Sequence, residues 1–349
     1  MIYARKTLKT RAVPRTVSLI CLALITCLCV TAGFAQSSII VVGSGGTSPV
    51  PVYRIWTKEY NSIKPSLQLQ YVPLDTTASI AQITKGSGDF GGGDTPLPPE
   101  KRAQNLMELP AMLIALVPIY NLPGQSVDLR FSGELLADIY LGQVTKWNAP
   151  QIARLNPGIS LPDLPIKVVQ RRAGKGTNYI FTDFLSKTSP KFRDHVGRSI
   201  SPAWPVGTST ERSSDMADKV RSDPGSIGFV ELQYARENNI PYGLVKNAAG
   251  KFIKASPAGL LAACDAVEAP QYDNFAASLT NAPGADSYPI VSFSWVYVRT
   301  VSTDAQRKAA LLDVLNFMFT RGQKIMPAGY SPLPESLLAK EKAKLSSIQ

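Results

Sequence analysis

Histidine occurs once in this 349-residue sequence, as His195, and cysteine only four times. A zinc site built on paired histidines is therefore excluded, and a Ser-His-Asp triad would have to rest on His195 alone. Arg193, Asp194 and Arg198 flank that residue and mark it as part of a solvated helix surface. Nucleotide motifs are incomplete as well. Gly43-Ser44-Gly45-Gly46-Thr47 lacks the third glycine of a dinucleotide fingerprint, and Gly174-Lys175-Gly176-Thr177 lacks the Gly-Lys-Ser/Thr ending of a phosphate loop. No Gly-x-Ser-x-Gly elbow and no repeat of fixed period occurs. Hydrophobic residues make up 44% and charged residues 18%, a balance that excludes a disordered chain. The 26 acidic residues leave a catalytic carboxylate pair open.

Negative charge is absent from the first 35 residues, which carry Arg5, Lys6, Lys9, Arg11 and Arg15. Residues 16–35 have no charge at all, with the apolar centre VSLICLALITCLCV and the small-x-small end Gly33-Phe34-Ala35. A basic start, an apolar centre and a small-residue end predict a signal peptide over 1–35, cut after Ala35. An uncleaved anchor helix is the competing expectation, but an apolar centre of 14 residues is short for a span. Without those residues the formal charge falls from +11 to +6, spread along the chain. Such mild basicity predicts no nucleic-acid partner. Cys21, Cys27 and Cys29 go with the signal, none in a lipid-attachment context, and Cys264 is left with no partner for an internal disulfide. A lone cysteine of this kind is expected to be a small buried hydrophobe.

Strand-like and helix-like runs then alternate. Residues 38–42, 68–72, 112–117, 166–169, 226–230 and 290–298 read as strands, being apolar and β-branched. Val52, Tyr53, Trp56 and Tyr60 share a helix face, and 76–85, 134–140, 179–185 and 305–319 have helical spacing. The alternation predicts an α/β architecture with parallel strands. No Ser- or Gly-rich linker divides it, so two domains would require the chain to cross between them more than once.

Three strand-to-helix loops carry hydroxyls: Gly43–Ser48, Asp75–Ser79 and Gly174–Asn178. Backbone N–H groups and the helix dipole favour an anion at such places. Any one of them alone is better explained as a capped turn. Arg171 and Arg172 precede the third loop and offer a guanidinium fork for two oxygens of a tetrahedral oxyanion. Asp94, in the loop FGGGDTPL, stands apart because an acid beside anion sites repels most anions. It accepts a hydrogen bond from an anion that still carries a proton, as hydrogen phosphate does and sulfate does not. Its plainer role would be a helix N-cap.

These segments resemble a known family. Val42–Tyr53, FGGGDTPL at 90–97, DIYLGQVTKWN at 138–148, VVQRRAGKGT at 168–177, GSIGFVE at 225–231, YPIVSFSWVYV at 288–298 and SPLPESL at 331–337 resemble, in order, the phosphate-binding subunit of the high-affinity phosphate ABC importer. The likeness runs over roughly 38 to 340. It implies a two-lobed type II periplasmic-binding-protein fold with a hinge between discontinuous lobes, 36–115 with 289–349 and 116–288. It further implies an exported, periplasmic, monomeric receptor for inorganic phosphate that serves membrane permease subunits and an ATPase. No catalytic residue, metal or cofactor is implied. Carried over position by position, Thr47, Ser48 and Thr76 are donors, Asp94 the acceptor, Arg172 the charge, and Gly176 and Thr177 donors at the third helix start.

Departures are visible. Ser48 stands where phenylalanine is usual and Thr76 where serine is. The family's Arg-Ala-Asp-Gly-Ser-Gly-Thr is read here as Arg172-Ala173-Gly174-Lys175-Gly176-Thr177, with an acid missing and Lys175 in place of a serine donor. Because a buried ammonium is costly, Lys175 is expected to turn to solvent. A receptor for another oxyanion (sulfate, molybdate or a phosphonate), a secreted phosphatase-like protein, and a surface sensor that has lost its permease remain open alternatives.

Overall fold

The computed structural model describes residues 38–102, 104–124, 128–267 and 278–348; the expected signal peptide at 1–35 lies outside them. The strands are β1 (Ile39–Gly45), β2 (Leu67–Pro73), β3 (Phe90–Gly93), β4 (Leu106–Tyr120), β5 (Arg130–Phe131), β6 (Lys167–Arg171), β7 (Thr208–Thr210), β8 (Ser226–Glu231), β9 (Leu244–Lys246), β10 (Phe252–Ile253), β11 (Val291–Arg299) and β12 (Tyr330–Ser331). The helices are α1 (Val50–Ile63), α2 (Thr76–Thr84), α3 (Pro99–Arg102), α4 (Gly133–Tyr140), α5 (Pro150–Leu155), α6 (Gly176–Thr188), α7 (Pro190–His195), α8 (Ser213–Ser222), α9 (Leu232–Glu237), α10 (Pro257–Asp265), α11 (Ala305–Met318) and α12 (Glu335–Leu345).

Local chemistry accounts for most of these boundaries. Prolines at 49 and 51 pre-set the first turn of α1, whose buried residues are the expected Val52, Tyr53, Trp56 and Tyr60. The Asp75 carboxylate caps α2 by accepting from the Ala78 amide at 2.6 Å. The Asp304 side chain does the same for α11, where Ala310, Leu311, Val314 and Leu315 turn inward.

Among the described residues the principal sheet has nine strands, ordered β2-β1-β3-β11-β4-β8-β6-β7, with β12 also on β4. The expectation of parallel strands holds only for its two flanks. β2-β1-β3 and β8-β6-β7 are parallel, whereas β11 lies antiparallel to β3 and β4, and β4 antiparallel to β8. The chain returns after residue 288 to push β11 into the middle of the sheet, and a strand entering that way runs against its neighbours. β4 spans 15 residues, and besides β12 it serves β11 along Leu106–Ala115 and β8 along Leu116–Tyr120.

The core covers both flanks. Tyr53 stacks on Tyr71 with centroids 3.8 Å apart beneath the β1 end, and Phe181 stacks on Phe229 at 4.1 Å beneath α6. Cys264 is buried, as expected. His195 is exposed on α7, where its Nδ1 lies 2.9 Å from the Lys191 carbonyl.

Candidate functional site

In open α/β sheets a ligand sits beyond the carboxyl ends of the parallel strands. Here those ends gather the chemistry. Gly46, Thr47 and Ser48 follow β1, Asp75 and Thr76 follow β2, Asp94 follows β3, Arg171 ends β6, and Lys175, Gly176 and Thr177 lead into α6; together they line one small pocket. The three loops touch. A Cβ on Gly176 would fall 2.7 Å from the Asp94 Cβ and 2.8 Å from Thr76 Oγ1, so only glycine allows α6 to start there.

Ser48, Thr76, Asp94, Arg171 and Thr177 are each at most 3% exposed, yet several of their polar atoms are unanswered by protein. Among the described residues, Thr76 Oγ1, Asp94 Oδ1, Arg171 Nε and Thr177 Oγ1 have no hydrogen-bond partner. Buried polar groups are normally satisfied, so four such atoms round one pocket describe a binding surface for a small polar group. A larger cleft lies between Lys85, Asp89, Asp304 and Lys308. There Asp89 is already bound by Arg307 and the Val42 amide, and Asp304 caps α11.

The Asp94 carboxylate caps no helix; Ser48 Oγ donates to its Oδ2. Burial pushes its pKa up to about 7, against the lowering pull of the Ser48 hydroxyl, while Glu231 raises it further. Near neutral pH Asp94 therefore offers an acceptor, a donor, or a mixture of the two. The loop before it is held by Tyr330 Oη, which donates to the Ser48 carbonyl at 2.6 Å, and by Tyr71 Oη on the Gly46 carbonyl at 3.0 Å.

The charge is where the resemblance misplaced it. Arg172 is exposed and reaches Glu211 at 3.2 Å, whereas Arg171 is buried at the pocket wall. Matched to the family motif without a gap, Arg171 takes the arginine position, Ala173 the acid and Lys175 the serine. Arg171 pairs with Thr210 at the close of β6, and this places its side chain over the strand ends. Its Nη2 donates to the Glu211 carbonyl at 3.0 Å and its Nη1 to Ser213 Oγ, which donates in turn to Glu231 Oε1 at 3.0 Å. Burial lowers the Arg171 pKa and raises that of fully buried Glu231, each countered by the other's charge.

Lys175 also departs from expectation. It is buried rather than turned to solvent, because Glu211 Oε1 accepts from its Nζ and compensates the ammonium. Thr47, half-buried, Ser48, Thr76, Asp94, Gly176 and Thr177 are all brought together as expected. Ser213, Glu211 and Glu231 were not foreseen. A faint signal was present for Glu231, an acid closing the apolar strand SIGFVE. Among the described residues, no three His, Cys, Asp or Glu side chains are grouped to hold a metal ion.

The pocket thus lies at the carboxyl ends of the parallel strands β1, β2, β3 and β6, drawn from both flanks of the sheet. A model of the PBP superfamily domain matches residues 31–321. The phosphate-binding protein PstS of Xylella fastidiosa (strain 9a5c) is 34% identical over 307 residues, 86% of this chain and 83% of its own. PstS of Methanocaldococcus jannaschii is 30% identical over 328 residues, 86% of this chain and 84% of its own. Among solved structures, the phosphate-binding protein of Stenotrophomonas maltophilia matches with a TM-score of 0.64 at 16% identity, over 88% of this chain and 94% of that one. The chain belongs to the PstS family within the PBP superfamily, and its fold is the two-lobed type II fold of that group.

Proposed function

We propose that this chain captures inorganic phosphate in the Arg171 pocket and delivers it to an ABC importer. The observation that carries this reading is the ring of unanswered buried atoms: two hydroxyls, one guanidinium nitrogen and one carboxylate oxygen. Donors from Thr76, Thr177, Arg171 and the N-termini of α1 and α6 suit the oxygens of a tetrahedral oxyanion. The carboxylate of Asp94 suits its remaining proton. Sulfate, which carries none near pH 7, would face Asp94 charge to charge in a buried site, a cost of several kcal/mol.

In this reading the protein is a receptor and not an enzyme, and the Arg171 fork supplies the charge that Arg172 was expected to supply. The ligand set is Thr47, Ser48, Thr76, Asp94, Arg171, Gly176 and Thr177. The lobes are 36–115 with 289–349 and 116–288, and they close on phosphate about a hinge; the switch of β4 from β11 to β8 between Ala115 and Leu116 supports that division. The mature protein works as a periplasmic monomer after loss of 1–35 and docks on permease subunits coupled to an ATPase. Calorimetric titration of the chain from Gln36, with phosphate and in parallel with sulfate at pH 7.5 or so, tests the reading. Tight one-to-one phosphate binding with silent sulfate is the expected result, and absence of phosphate binding overturns it.

A further inference from the structure

Lys175 is a cation placed where nothing in the fold requires one. It stands at the N-cap of α6, yet its side chain makes no capping hydrogen bond. Its side chain is 8% exposed and lines the same pocket as Arg171 and Asp94, with Nζ bound to Glu211 Oε1. The hydrogen bond from Lys175 lowers the Glu211 pKa and favours its ionised form.

The two partners differ in burial, and that difference has an electrical consequence. The Glu211 side chain is 50% exposed. Water screens its charge, while the lysine's charge acts through protein toward the pocket. The two do not cancel inside. Arg171, by contrast, is matched through Ser213 by Glu231, which has no exposure at all. If Asp94 is ionised, the pocket without Lys175 sets one basic side chain, Arg171, against the acidic side chains of Asp75, Asp94 and, behind Arg171, Glu231. Lys175 is the group that restores attraction for an anion.

We infer that Lys175 is a second cationic ligand for the bound oxyanion and that Glu211 is its positioning residue, so that the pair tunes the pocket toward a divalent anion. The inference rests on the reading of this pocket as a phosphate site and names a determinant of its affinity. Glu211 lies 36 residues beyond Lys175 in the chain. It touches Lys175 and Arg172 through its carboxylate and Arg171 through its carbonyl. One residue therefore ties the loop's three cations together.

The test is phosphate titration of the mature chain and of Lys175→Met, Glu211→Gln and the double variant, with unfolding temperatures measured alongside. Methionine keeps the length of the side chain and removes its charge. Lys175→Met should weaken phosphate at least tenfold and flatten the dependence of Kd on sodium chloride. Glu211→Gln, which keeps an acceptor for Lys175 but removes the opposing charge, should tighten phosphate severalfold. That gain should vanish in the double variant. A purely structural pair would shift the unfolding temperature and leave Kd within twofold in all three, which overturns the inference. If the wild-type chain binds sulfate and not phosphate, the phosphate reading falls alone, and the same ratios are read with sulfate. A wild-type chain that binds neither overturns both.

Discussion

The two walls of the pocket do their work by different means. The wall from β1, β2 and β3 is built of short-range devices: Gly46, Thr47, Ser48, Thr76 and Asp94, on loops capped by their own residues and braced by Tyr71 and Tyr330. Its acidic side chains are Asp94 and Asp75, whose carboxylate caps α2. The wall from β6, β7 and β8 is built of charge held at a distance: Arg171 and Lys175 on one loop, answered by Glu211, Ser213 and Glu231 from two others. Under the proposed function, the first wall tells one anion from another by whether it brings a proton, and the second supplies the attraction.

If that division is right, damage to the second wall should cost affinity and damage to the first should cost discrimination. Arg171→Ala should show the largest effect. It removes the charge and leaves Glu231 buried without its partner, and losses of this kind run to about 2–5 kcal/mol. Titration should find phosphate weakened on the order of a thousandfold. Next comes Asp94→Asn, with an effect on stability as well as selectivity. Folding raises this carboxyl from 3.8 to about 7, so folding favours its protonated form. Its contribution is full below about pH 4 and is lost as the pH rises through 7, a loss on the order of 4 kcal/mol. The asparagine variant should therefore unfold at a higher temperature than the wild type at pH 8, without anions, and about equally at pH 4. It should also narrow the preference for phosphate over sulfate. Lowering the pH from 8 to 6 should narrow it in the wild type too, since protonated Asp94 no longer opposes sulfate.

Thr76→Val keeps shape and removes one hydroxyl, and about 1 kcal/mol, or close to a fivefold rise in Kd, is expected for phosphate. The smallest effect belongs to Arg172→Ala. Its ion pair with Glu211 is exposed on both sides, and such pairs contribute at most about 1 kcal/mol to stability. Phosphate affinity should stay within twofold. A large loss there, with Arg171→Ala mild, would reverse the assignment of the two arginines and dissolve the contrast between the walls.

The same contrast governs how much was legible in the sequence. Everything on the first wall is written locally: a β-branched run, a Gly/Ser/Thr turn, an acid in FGGGDTPL. Those positions come together in the pocket, and the strands expected at 38–42, 68–72 and 226–230 are present as β1, β2 and β8. The second wall depends on partners brought by the fold. Two adjacent arginines look alike until β6 and β7 pair and bury one of them. Lys175 looks too costly to bury until Glu211 is seen beside it. The antiparallel placement of β11 was equally hidden, because an apolar strand carries no mark of its direction. Segment order suggested a chain that crosses back, but not that it would split β3 from β4.

That late strand also sets a timetable. β1, β2 and β3 are finished by residue 93 and β4 by residue 120, yet the strand that joins β3 to β4 begins only at Val291. During synthesis both strands therefore present raw edges until nearly the whole chain exists. A chain cut short before Val291 lacks the strand that joins the two, and its open edges favour aggregation. Topology thus makes completion of the sheet wait on the last sixth or so of the chain.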